Sequence, residues 1–504
     1  MEEVTLKPIN RKIQRLAIAN RGEVAVRIIR ACQELGIETV LLHSEPDVAT
    51  LAYRLADRHI CIGPAPTAQS YLNISANVQG ALAQGAQAVH PGFGFLSENA
   101  DFAEACAKAG LLFIGPSPEA IRRLGDKVQA KAIARKLGLP LVPGYEGDDQ
   151  SILRLVQAAE TIGYPVIVKA AAGGGGRGMK VLTDSSSAKE LIESAQREAL
   201  SAFGSAQVFL EKYLDRAKHI EMQIFGDASG RVRHLWDREC SVQRRHQKMI
   251  EEALSPSLTS DLRLQMGQAA CWLGEEVGYQ GAGTVEFLLQ DGKFYFLEVN
   301  TRLQVEHPVT ELVMGVDLVK AQILTAQGQA VFPDSENLAP RGHAIECRIY
   351  AEDPYQGGIP SIGKIIEIKW PEGPGRRFEC GLEAGDEVTS FYDSMIAKVI
   401  VWDESRVRAM QKMQRVLADS IIFGVRTNIP LLQKVLAHPE FVTGRMTTRM
   451  MGQYFADSLP LPEVDPELLA IFEQANAKLQ SLVSGQGPIG RGQANPFQSQ
   501  WRGV

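Results

Sequence analysis

Short apolar runs alternate with amphipathic stretches over the first 115 residues. Residues 16–19 form an apolar run that ends in the turn at residues 20–22, and apolar positions at helical spacing follow over residues 24–35. Similar apolar runs recur at residues 38–43, 87–90 and 111–114. Strands separated by helices predict a parallel sheet that is covered on both faces. The turns after its strands are the places where open α/β sheets bind ligands.

Farther along the chain the pattern changes twice. Strand-like runs are predicted at residues 166–170, 179–182 and 208–225, followed by a helix at 260–277 and a hairpin turn at 290–292. A third region begins near Arg341, with a strand at 343–348 and a helix at 404–418. From about Ser458 the chain is rich in Pro, Gln and Gly, and we expect a loosely held tail with one short helix at 466–482.

The composition is that of an ordinary globular protein. The chain has 504 residues, of which 45% are hydrophobic and 22% are charged, with a net charge of −6. The acidic excess argues against nucleic-acid binding as the main activity. No apolar stretch approaches the ~20 residues of a membrane helix, and the N-terminus lacks a signal-peptide core, so we expect a cytoplasmic protein. Seven scattered cysteines without a C-x-x-C pair predict reduced thiols.

A glycine-rich loop at residues 173–178 matches G-x-G-x-x-G but lacks the following helix of the dinucleotide fingerprint. It also fails the Walker A pattern, because Met179 stands where that pattern has lysine. Lys169 ends the preceding strand, and Arg177 lies within the loop. Such a loop can place its backbone N–H groups around a polyphosphate. A flexible hairpin tip is the alternative, and only the next motif favours phosphate binding over it.

Two carboxylates are predicted to face each other in the hairpin of residues 283–300. Side chains alternate across a strand, so Glu298 and Asn300 share one face, and a turn centred on Gly292 sets Glu286 opposite Glu298. Two carboxylates in an apolar hairpin would repel each other and lose hydration. Mg²⁺ bridging ATP phosphates would resolve this conflict. A solvated polar face is the alternative.

Charged residues continue directly from this hairpin. Arg302 and Glu306 lie within a few residues of the predicted metal site. A guanidinium can hold a small planar oxyanion bidentately, and a nearby carboxylate can act as a base. An ordinary Arg–Glu surface pair is the alternative. The densest basic stretch, residues 238–248, is a surface loop, a nucleic-acid patch or an anion-binding segment, and the acidic total disfavours the second of these.

Taken in order, these motifs resemble biotin carboxylase, the ATP-grasp component of biotin-dependent carboxylases, from about Leu16 to Phe455. The markers are residues 18–23 (IANRGE), 90–99 (HPGFGFLSEN), 125–127 (GDK), the glycine-rich loop, 243–248 (QRRHQK) and 298–307 (EVNTRLQVEH). The resemblance implies an α/β fold in four parts. These are a Rossmann-like N-terminal domain at 1–125, an ATP-grasp domain at 126–335 with a mobile lid at about 140–215, an α+β C-terminal domain at 336–457, and a tail at 458–504.

The resemblance also implies a role for individual residues. ATP would be bound by Lys127, Lys169, Gly175, Gly176, Glu211, Lys212, Tyr213, Leu214, His219 and His246. Two Mg²⁺ or Mn²⁺ ions would be held by Glu286, Glu298 and Asn300. Bicarbonate would be seated by Lys248, Arg302, Gln304 and Val305. Glu306 would deprotonate bicarbonate beside the catalytic Arg302, and Arg348 would face the ureido oxygen of biotin.

The implied reaction is attack of bicarbonate on ATP to give carboxyphosphate, followed by CO₂ transfer to N1 of biotin. The complete system expected from the resemblance is acetyl-CoA carboxylase of fatty acid synthesis. The family attaches biotin to the lysine of Ala-Met-Lys-Met, whereas residues 409–413 (AMQKM) contain an extra Gln and are predicted to be helical. We therefore expect a separate biotin carboxyl carrier protein, separate carboxyltransferase subunits and a homodimer, with no nucleic-acid or membrane partner.

The sequence departs from the family at two places. Phe93 stands where the family usually has tyrosine, and Ala171 and Ala172 precede four glycines where the family often has serine and a fifth glycine. Neither change affects a proposed ligand side chain, so modest kinetic effects are expected.

Two other functions compete with this interpretation. Another ATP-grasp ligase, such as one that makes carbamoyl phosphate, would share the loop and hairpin but would leave Arg302, Glu306 and Arg348 without a clear task. A non-catalytic nucleotide-binding scaffold would be expected to have lost Lys248 and those three residues, and all four are present.

Overall fold

The fold is described from a computed structural model. It describes residues 12–171, 179–245, 247–332, 339–456 and 458–461, together with residues 467, 470, 471, 473 and 474. The chain divides into two compact units, Met1–Ser458 and Leu459–Val504, and all elements below belong to the first. Most of the helix predicted at 466–482 falls outside the described residues.

The predicted parallel sheet forms the N-terminal part. Its strands are β1 (Arg15–Ile18), β2 (Glu38–Ser44), β3 (Arg58–Gly63), β4 (Ala88–His90) and β5 (Leu112–Phe113). They take the order β3-β2-β1-β4-β5, and each neighbouring pair is parallel. The helices are α1 (Gly22–Glu34), α2 (Leu51–Leu55), α3 (Ile74–Ala83), α4 (Ala100–Lys108) and α5 (Pro118–Gly125).

Strand β1 is buried on both faces, as the continuous apolar run predicts. Leu16 and Ile18 belong to one core cluster, and Ala17 and Ala19 belong to another. The turns after β1 and β4 meet at the edge where a ligand was expected. There the Asn20 Nδ2 donates to the carbonyl oxygens of Pro91 and Phe93, both at 2.7 Å.

A small antiparallel sheet follows in the chain. Its elements are α6 (Lys127–Lys136), β6 (Gly144–Tyr145), α7 (Ile152–Ile162), β7 (Val166–Ala170), β8 (Lys180–Leu182), α8 (Ala188–Phe203) and β9 (Val208–Lys212). The order is β6-β9-β7-β8. Strands β7 and β8 pair antiparallel, so the two strands predicted on either side of the glycine-rich segment are confirmed, whereas residues 173–178 themselves lie outside the described residues.

The central elements include the predicted hairpin. They are β10 (Lys218–Gly226), β11 (Val232–Arg244), β12 (Gln247–Ala253), α9 (Ser260–Glu276), β13 (Gly281–Gln290), β14 (Lys293–Asn300), α10 (His307–Met314) and α11 (Leu318–Ala326). Helix α9 and the β13–β14 hairpin agree with the sequence prediction. One face of this region packs on a core that includes Met222, Phe287 and Phe296.

The third region contains short strands and helices, as predicted. Its strands are β15 (His343–Tyr350), β16 (Glu352–Asp353), β17 (Ile359–Pro360), β18 (Gly363–Lys364), β19 (Glu367–Lys369), β20 (Arg376–Cys380), β21 (Glu387–Val388), β22 (Met395–Asp403) and β23 (Ile421–Phe423). Its helices are α12 (Arg406–Asp419), α13 (Ile429–Ala437), α14 (Pro439–Val442) and α15 (Met450–Tyr454).

One large antiparallel sheet joins the central and third regions. Its order is β14-β13-β10-β11-β12-β15-β22-β20. The two regions meet where β12 pairs with β15, and there Glu251 is the direct partner of Glu346. Side chains from distant parts of the chain therefore come to lie on one sheet surface. In the described part of the chain, the helices are too short or too polar to cross a bilayer.

Candidate active site

Lys248 of β12 lies at the centre of a cluster of carboxylates. Its Nζ is 2.5 Å from Glu221 Oε2, 2.9 Å from Glu286 Oε1 and 2.7 Å from Glu306 Oε1. Burial lowers the pKa of Lys248, but the three carboxylates outweigh burial and raise it well above the usual value of lysine. Lys248 is therefore a fixed cation at neutral pH, and it connects the β13–β14 hairpin to the segment that follows it.

Glu306 lies just before α10 and is fully buried, with 0% exposure. Its second oxygen, Oε2, accepts a hydrogen bond from Arg348 Nη2 at 2.8 Å. Burial raises the pKa of Glu306, but Lys248 and Arg348 together lower it by more, so the pKa lies well below the usual value. The side chain is thus an ionised acceptor held by two cations. It gains basicity only when one of those cations turns towards a substrate.

Arg348 of β15 is held between two carboxylates. Its Nε donates to Glu251 Oε1 at 2.6 Å, and its Nη2 donates to Glu306. Burial lowers the pKa of Arg348, but Glu251 and Glu306 raise it well above the usual value. The sequence prediction named Arg348 and Glu306 but not Glu251, whose partner lies on a strand that is distant in sequence.

Arg302 has a different carboxylate partner from the one that the surface-pair alternative assumes. Its Nε donates to Glu98 Oε2 at 2.9 Å, and its Nη1 donates to Gln304 Oε1 at 2.8 Å. The Thr301 N–H donates to the other Glu98 oxygen at 3.0 Å. That alternative is therefore wrong, since Glu306 is buried and pairs elsewhere. Glu98 belongs to the 90–99 marker, but nothing in its spacing identified it as the partner of Arg302.

The register of the hairpin agrees with the prediction, since Glu286 lies directly opposite Glu298. The two carboxylates have separate nitrogen partners. Glu286 Oε2 is 2.9 Å from His219 Nε2, whereas Glu298 Oε2 is 3.0 Å from Lys127 Nζ. Burial raises the pKa of Glu286, but Lys248 and His219 lower it far below the usual value. Glu286 is therefore a permanent anion in this hairpin.

The hairpin residues fit a hard divalent cation. Glu286, Glu298 and Asn300 offer carboxylate and amide oxygens, which are the donors that Mg²⁺ prefers. The Asn300 side chain contacts Glu286, because its Nδ2 donates to Glu286 Oε1 at 2.9 Å. Glu298 and Asn300 also line a cleft of about 530 Å³ together with Lys127. Two of the three predicted metal ligands, Glu298 and Asn300, therefore have access to the cleft, whereas Glu286 is buried and does not line it.

Two lysines surround a buried glutamate on the small antiparallel sheet. Glu211 of β9 accepts from Lys131 Nζ at 2.5 Å and also from Lys169. Burial raises the pKa of Glu211, but Lys169 and Lys131 lower it to about 2. Lys131 was missed by sequence reasoning, although it follows Lys127 by four residues in α6 and so lies on the same helix face.

Of the remaining predicted nucleotide ligands, three lie among the described residues and three do not. Lys212 Nζ donates to the carbonyl oxygens of Gly163 and Tyr164 at 2.8 Å, so its ammonium group stabilises the chain before β7 instead of joining the other lysines. Tyr213 and Leu214 follow β9 directly, and the Tyr213 N–H donates to the Pro165 carbonyl at 3.0 Å. The other residues, Gly175, Gly176 and His246, lie outside the described residues.

A buried lysine supports the segment predicted to seat bicarbonate. Lys398 of β22 is fully buried, and its Nζ donates to the Val305 carbonyl at 2.7 Å. Gln304 Nε2 lies 3.4 Å from Glu286 Oε1. The Lys398 ammonium also lies 5.8 Å from the ring centroid of Phe93, within the range of a cation–π contact. Phe93, the departure from the family pattern, therefore borders the site.

Glu221 was also missed by sequence reasoning. It is fully buried on β10, where it contacts both Lys248 and the buried Arg238. Arg238 Nη2 donates to Thr284 at 2.9 Å, next to the hairpin. A glutamate within an apolar strand gives no sign of such partners until the strand register is known.

The lysine of the broken biotinylation motif lies in α12. Lys412 Nζ contacts Asp403 Oδ2 at 2.9 Å and donates to the Trp402 carbonyl at 2.8 Å. The prediction that its surroundings are helical is confirmed.

Profiles of three protein families match the chain in succession. They are the biotin carboxylase N-terminal domain over residues 12–121, the carbamoyl-phosphate synthase L chain ATP-binding domain over 126–332, and the biotin carboxylase C-terminal domain over 346–453.

Individual proteins resemble the chain over most of its length. A biotin carboxylase of Nostoc sp. is 49% identical over 443 residues, covering 88% of this chain and 99% of that protein. The mitochondrial methylcrotonoyl-CoA carboxylase subunit alpha of Glycine max is 48% identical over 449 residues, but the match covers only 61% of that subunit and 88% of this chain.

A solved structure has the same fold. It is the biotin carboxylase domain dimer of the 2-oxoglutarate carboxylase of Hydrogenobacter thermophilus, in complex with MgADP, ADP and bicarbonate. It superposes with a TM-score of 0.83 at 43% identity, covering 88% of this chain and 98% of that one.

Proposed function

We propose, from the premise that this chain belongs to the biotin carboxylase family and is an ATP-grasp ligase, that it carboxylates biotin on a separate carrier protein with ATP and bicarbonate. The observation that carries the proposal is Glu306, whose two oxygens meet Lys248 at 2.7 Å and Arg348 at 2.8 Å. One carboxylate thus touches one cation predicted to act on bicarbonate and another predicted to act on biotin.

Lys127 and Lys169, with the glycine-rich loop, would bind the phosphates of ATP, and Glu211 would belong to the nucleotide site. Glu286, Glu298 and Asn300 would hold Mg²⁺ or Mn²⁺, which would neutralise charge on the phosphoryl oxygens. The complex of the Hydrogenobacter domain with MgADP and bicarbonate supports both ligands.

Lys248, Arg302, Gln304 and Val305 would seat bicarbonate, whose negative charge attracts the two cations. As Lys248 turns towards that anion, Glu306 loses part of its compensation and becomes a stronger base. Glu306 would then remove the proton of bicarbonate, and the freed oxygen would attack the γ-phosphorus of ATP to give carboxyphosphate and ADP.

Arg348 would act in the second half-reaction. Loss of the N1 proton from biotin develops negative charge on the ureido oxygen, and a positioned guanidinium stabilises that charge. Carboxyphosphate would break down to CO₂ and inorganic phosphate, the phosphate would accept the N1 proton, and CO₂ would then bond to N1. The hydrogen bonds that Arg348 donates to Glu251 and Glu306 hold its side chain in place before biotin arrives.

The finer proposal concerns the complete system. We propose acetyl-CoA carboxylase, with a separate carrier protein, separate carboxyltransferase subunits and a homodimer of this chain. Support comes from the 99% coverage of the Nostoc biotin carboxylase and from the dimer of the Hydrogenobacter domain. A methylcrotonoyl-CoA carboxylase subunit has a similar identity to the chain, so reconstitution should compare acetyl-CoA with methylcrotonoyl-CoA as the acyl acceptor. We also propose domain limits of 1–125, 126–335, 336–457 and 458–504 for this chain.

A transfer assay tests the reaction. The purified chain is incubated with free biotin, ATP, Mg²⁺ and radiolabelled bicarbonate, and label in biotin is measured. We expect acid-labile label in biotin only when ATP is present. Absence of label from a folded sample that binds ATP would overturn the proposal.

A ligase that makes carbamoyl phosphate is the second candidate, because the matching profile over residues 126–332 carries that description. The same assay distinguishes the two. Label in carbamoyl phosphate upon addition of ammonia, without transfer to biotin, would favour the second candidate.

A further inference from the structure

A second carboxylate pair lies beside Arg348, where the central and third regions of the sheet join. Glu251 of β12 and Glu346 of β15 are direct antiparallel partners. Directly opposed residues point to the same face, with Cβ atoms about 4.5–5.5 Å apart. Both side chains have 0% exposure. Glu346 has no part in the proposed reaction, and Glu251 enters it only as an acceptor that holds Arg348.

The pair has too few hydrogen-bond donors for two charges. Glu251 Oε1 accepts from Arg348 Nε at 2.6 Å. Among the described residues, Glu251 Oε2 and both oxygens of Glu346 have no hydrogen-bond partner. Two opposed carboxylates without donors cannot both ionise at low cost in a buried site. One of them therefore keeps a proton.

The contacts indicate which group keeps that proton. Burial raises the pKa of Glu346 well above the usual value, Lys398 opposes this rise, and Glu251 adds to it. Burial also raises the pKa of Glu251, to about 7. The negative charge of Glu306 adds to this rise, and the positive charges of Arg348 and Lys248 oppose it. Glu346, whose oxygens have no donor among the described residues, is therefore the group that keeps the proton, whereas Glu251, which accepts from Arg348, gains its charge as the pH rises through neutrality.

Other ionisable groups surround the pair on every side. They are Lys248 on β12, Cys240 on β11, Cys347, Arg348 and Tyr350 on β15, Lys398 on β22, Glu306 before α10, and Glu23 on α1 beside Lys398. Burial raises the pKa values of Cys240, Cys347 and Tyr350 and so keeps these groups neutral. Burial also raises the pKa of Glu23, which faces Lys398 and not Glu251.

We propose that Glu251 is a positioning residue whose charge sets how strongly Arg348 holds Glu306, and that Glu346 is its protonated neighbour. The inference rests on the proposed function. When Glu251 is ionised, it shares the charge of Arg348, and Glu306 remains the more basic. When Glu251 is protonated, Arg348 directs its charge to Glu306 alone and weakens it as a base. Carboxylation should therefore rise with pH as Glu251 ionises.

The first test is the pH profile of biotin carboxylation between about pH 6 and about pH 8, which brackets neutrality. For the wild type we expect kcat to rise through this range. Glu251→Gln should remove this rise and lower kcat at the alkaline end by about tenfold, the equivalent of one pKa unit of lost basicity. The KM for ATP should not change. Glu251→Asp, which keeps a carboxylate, should restore part of the rise.

Glu239→Gln is the matched control. Glu239 is also buried in this sheet, but its carboxylate accepts from Ser241 and from Ser255 and does not contact Arg348. The control should keep the wild-type profile. If Glu251→Gln keeps it as well, or if Glu239→Gln loses it equally, Glu251 does not act through Arg348.

The second test needs no activity. The carbonyl stretch of a protonated carboxyl group is measured by infrared difference spectroscopy at neutral pH, for the wild type against Glu346→Gln. We expect the variant to lose one such band. If no band is lost, Glu346 is ionised and the assignment is wrong. A wild type that transfers no label to biotin at any pH would contradict the proposed function instead, and the infrared result would still decide the state of Glu346.

Discussion

Two lysine–glutamate contacts of the same site have similar lengths but different exposures, and they define a buried end and an exposed end of the site. Lys248 and Glu306 are 2.7 Å apart, with side-chain exposures of 12% and 0%. Lys127 and Glu298 are 3.0 Å apart, with side-chain exposures of 52% and 32%. Removal of one partner from a buried pair typically costs about 3–5 kcal/mol, whereas an exposed pair contributes about 0–1 kcal/mol.

The difference indicates a division of labour. The buried end fixes charges in one geometry, as proton transfer and charge stabilisation require. The exposed end could exchange its partners at little cost for the metal–nucleotide complex proposed above, because water already solvates both groups. Substitutions should therefore affect chemistry most at the buried end and ligand response most at the exposed end.

The largest expected effect is that of Glu306→Gln. The variant cannot accept the proton of bicarbonate, so biotin carboxylation should fall by about 10²–10⁴, the usual contribution of a general base. Binding of an ATP analogue, measured by calorimetry, should remain close to that of the wild type. A variant that transfers label to biotin at the wild-type rate would rule out Glu306 as the base.

Arg348→Ala should produce the next largest effect. Biotin carboxylation should fall by about 10²–10³, because one stabiliser of developing negative charge is lost. The variant also leaves Glu251 and Glu306 without their shared cation, so the unfolding free energy should fall by about 3–5 kcal/mol. Both values are obtained from the label-transfer assay and from denaturant unfolding.

Arg445→Ala is the matched control for Arg348→Ala. Arg445 is an exposed arginine that pairs with Glu440 at 3.1 Å, outside the site. The Arg445→Ala variant should keep wild-type activity, and its unfolding free energy should fall by at most about 1 kcal/mol. An equal loss in both variants would remove the distinction between the buried end and the protein surface.

Glu211→Gln probes a buried pair at the nucleotide end. The pKa of Glu211 is held at about 2 in the folded protein, below its usual 4.5. A lowered folded-state pKa contributes stability above pH 4.5 that is lost as the pH falls towards 2. The difference corresponds to roughly 3 kcal/mol. The melting-temperature gap between wild type and variant should therefore be wide at neutral pH and close with acidification, and a gap independent of pH would contradict this assignment.

Glu298→Gln should have the smallest effect on stability, below about 1 kcal/mol, because its contact with Lys127 is half-exposed. Its effect should appear in the metal response, with the Mg²⁺ concentration needed for ATP cleavage rising about tenfold or more. A wild-type Mg²⁺ titration curve would show that the hairpin is only structural.

The parts of the site that could be predicted are local in sequence. The alternation of side chains and the turn at residues 290–292 were sufficient to set Glu286 opposite Glu298. The parallel sheet followed in the same way from apolar runs separated by helical stripes.

The residues that the sequence analysis missed have contact partners that are distant in sequence. Glu98, Glu221, Glu251 and Lys398 have partners brought to them by sheet register or by contacts between regions. Pairing of β12 with β15, 97 residues apart at Glu251 and Arg348, has no local signal in either strand. From the sequence, only a metal ion was invoked to offset the repulsion between Glu286 and Glu298. In the structure, His219 and Lys248 contact Glu286, and Lys127 contacts Glu298.

ATP cleavage by the wild-type chain, measured with Mg²⁺ in four mixtures with and without bicarbonate and free biotin, tests the central claim most directly. The account predicts little cleavage without bicarbonate and the fastest cleavage with both substrates. It also predicts that Arg348→Ala keeps the bicarbonate dependence but loses the stimulation by biotin. Equal rates in all four mixtures, from folded protein that binds ATP, would contradict the account.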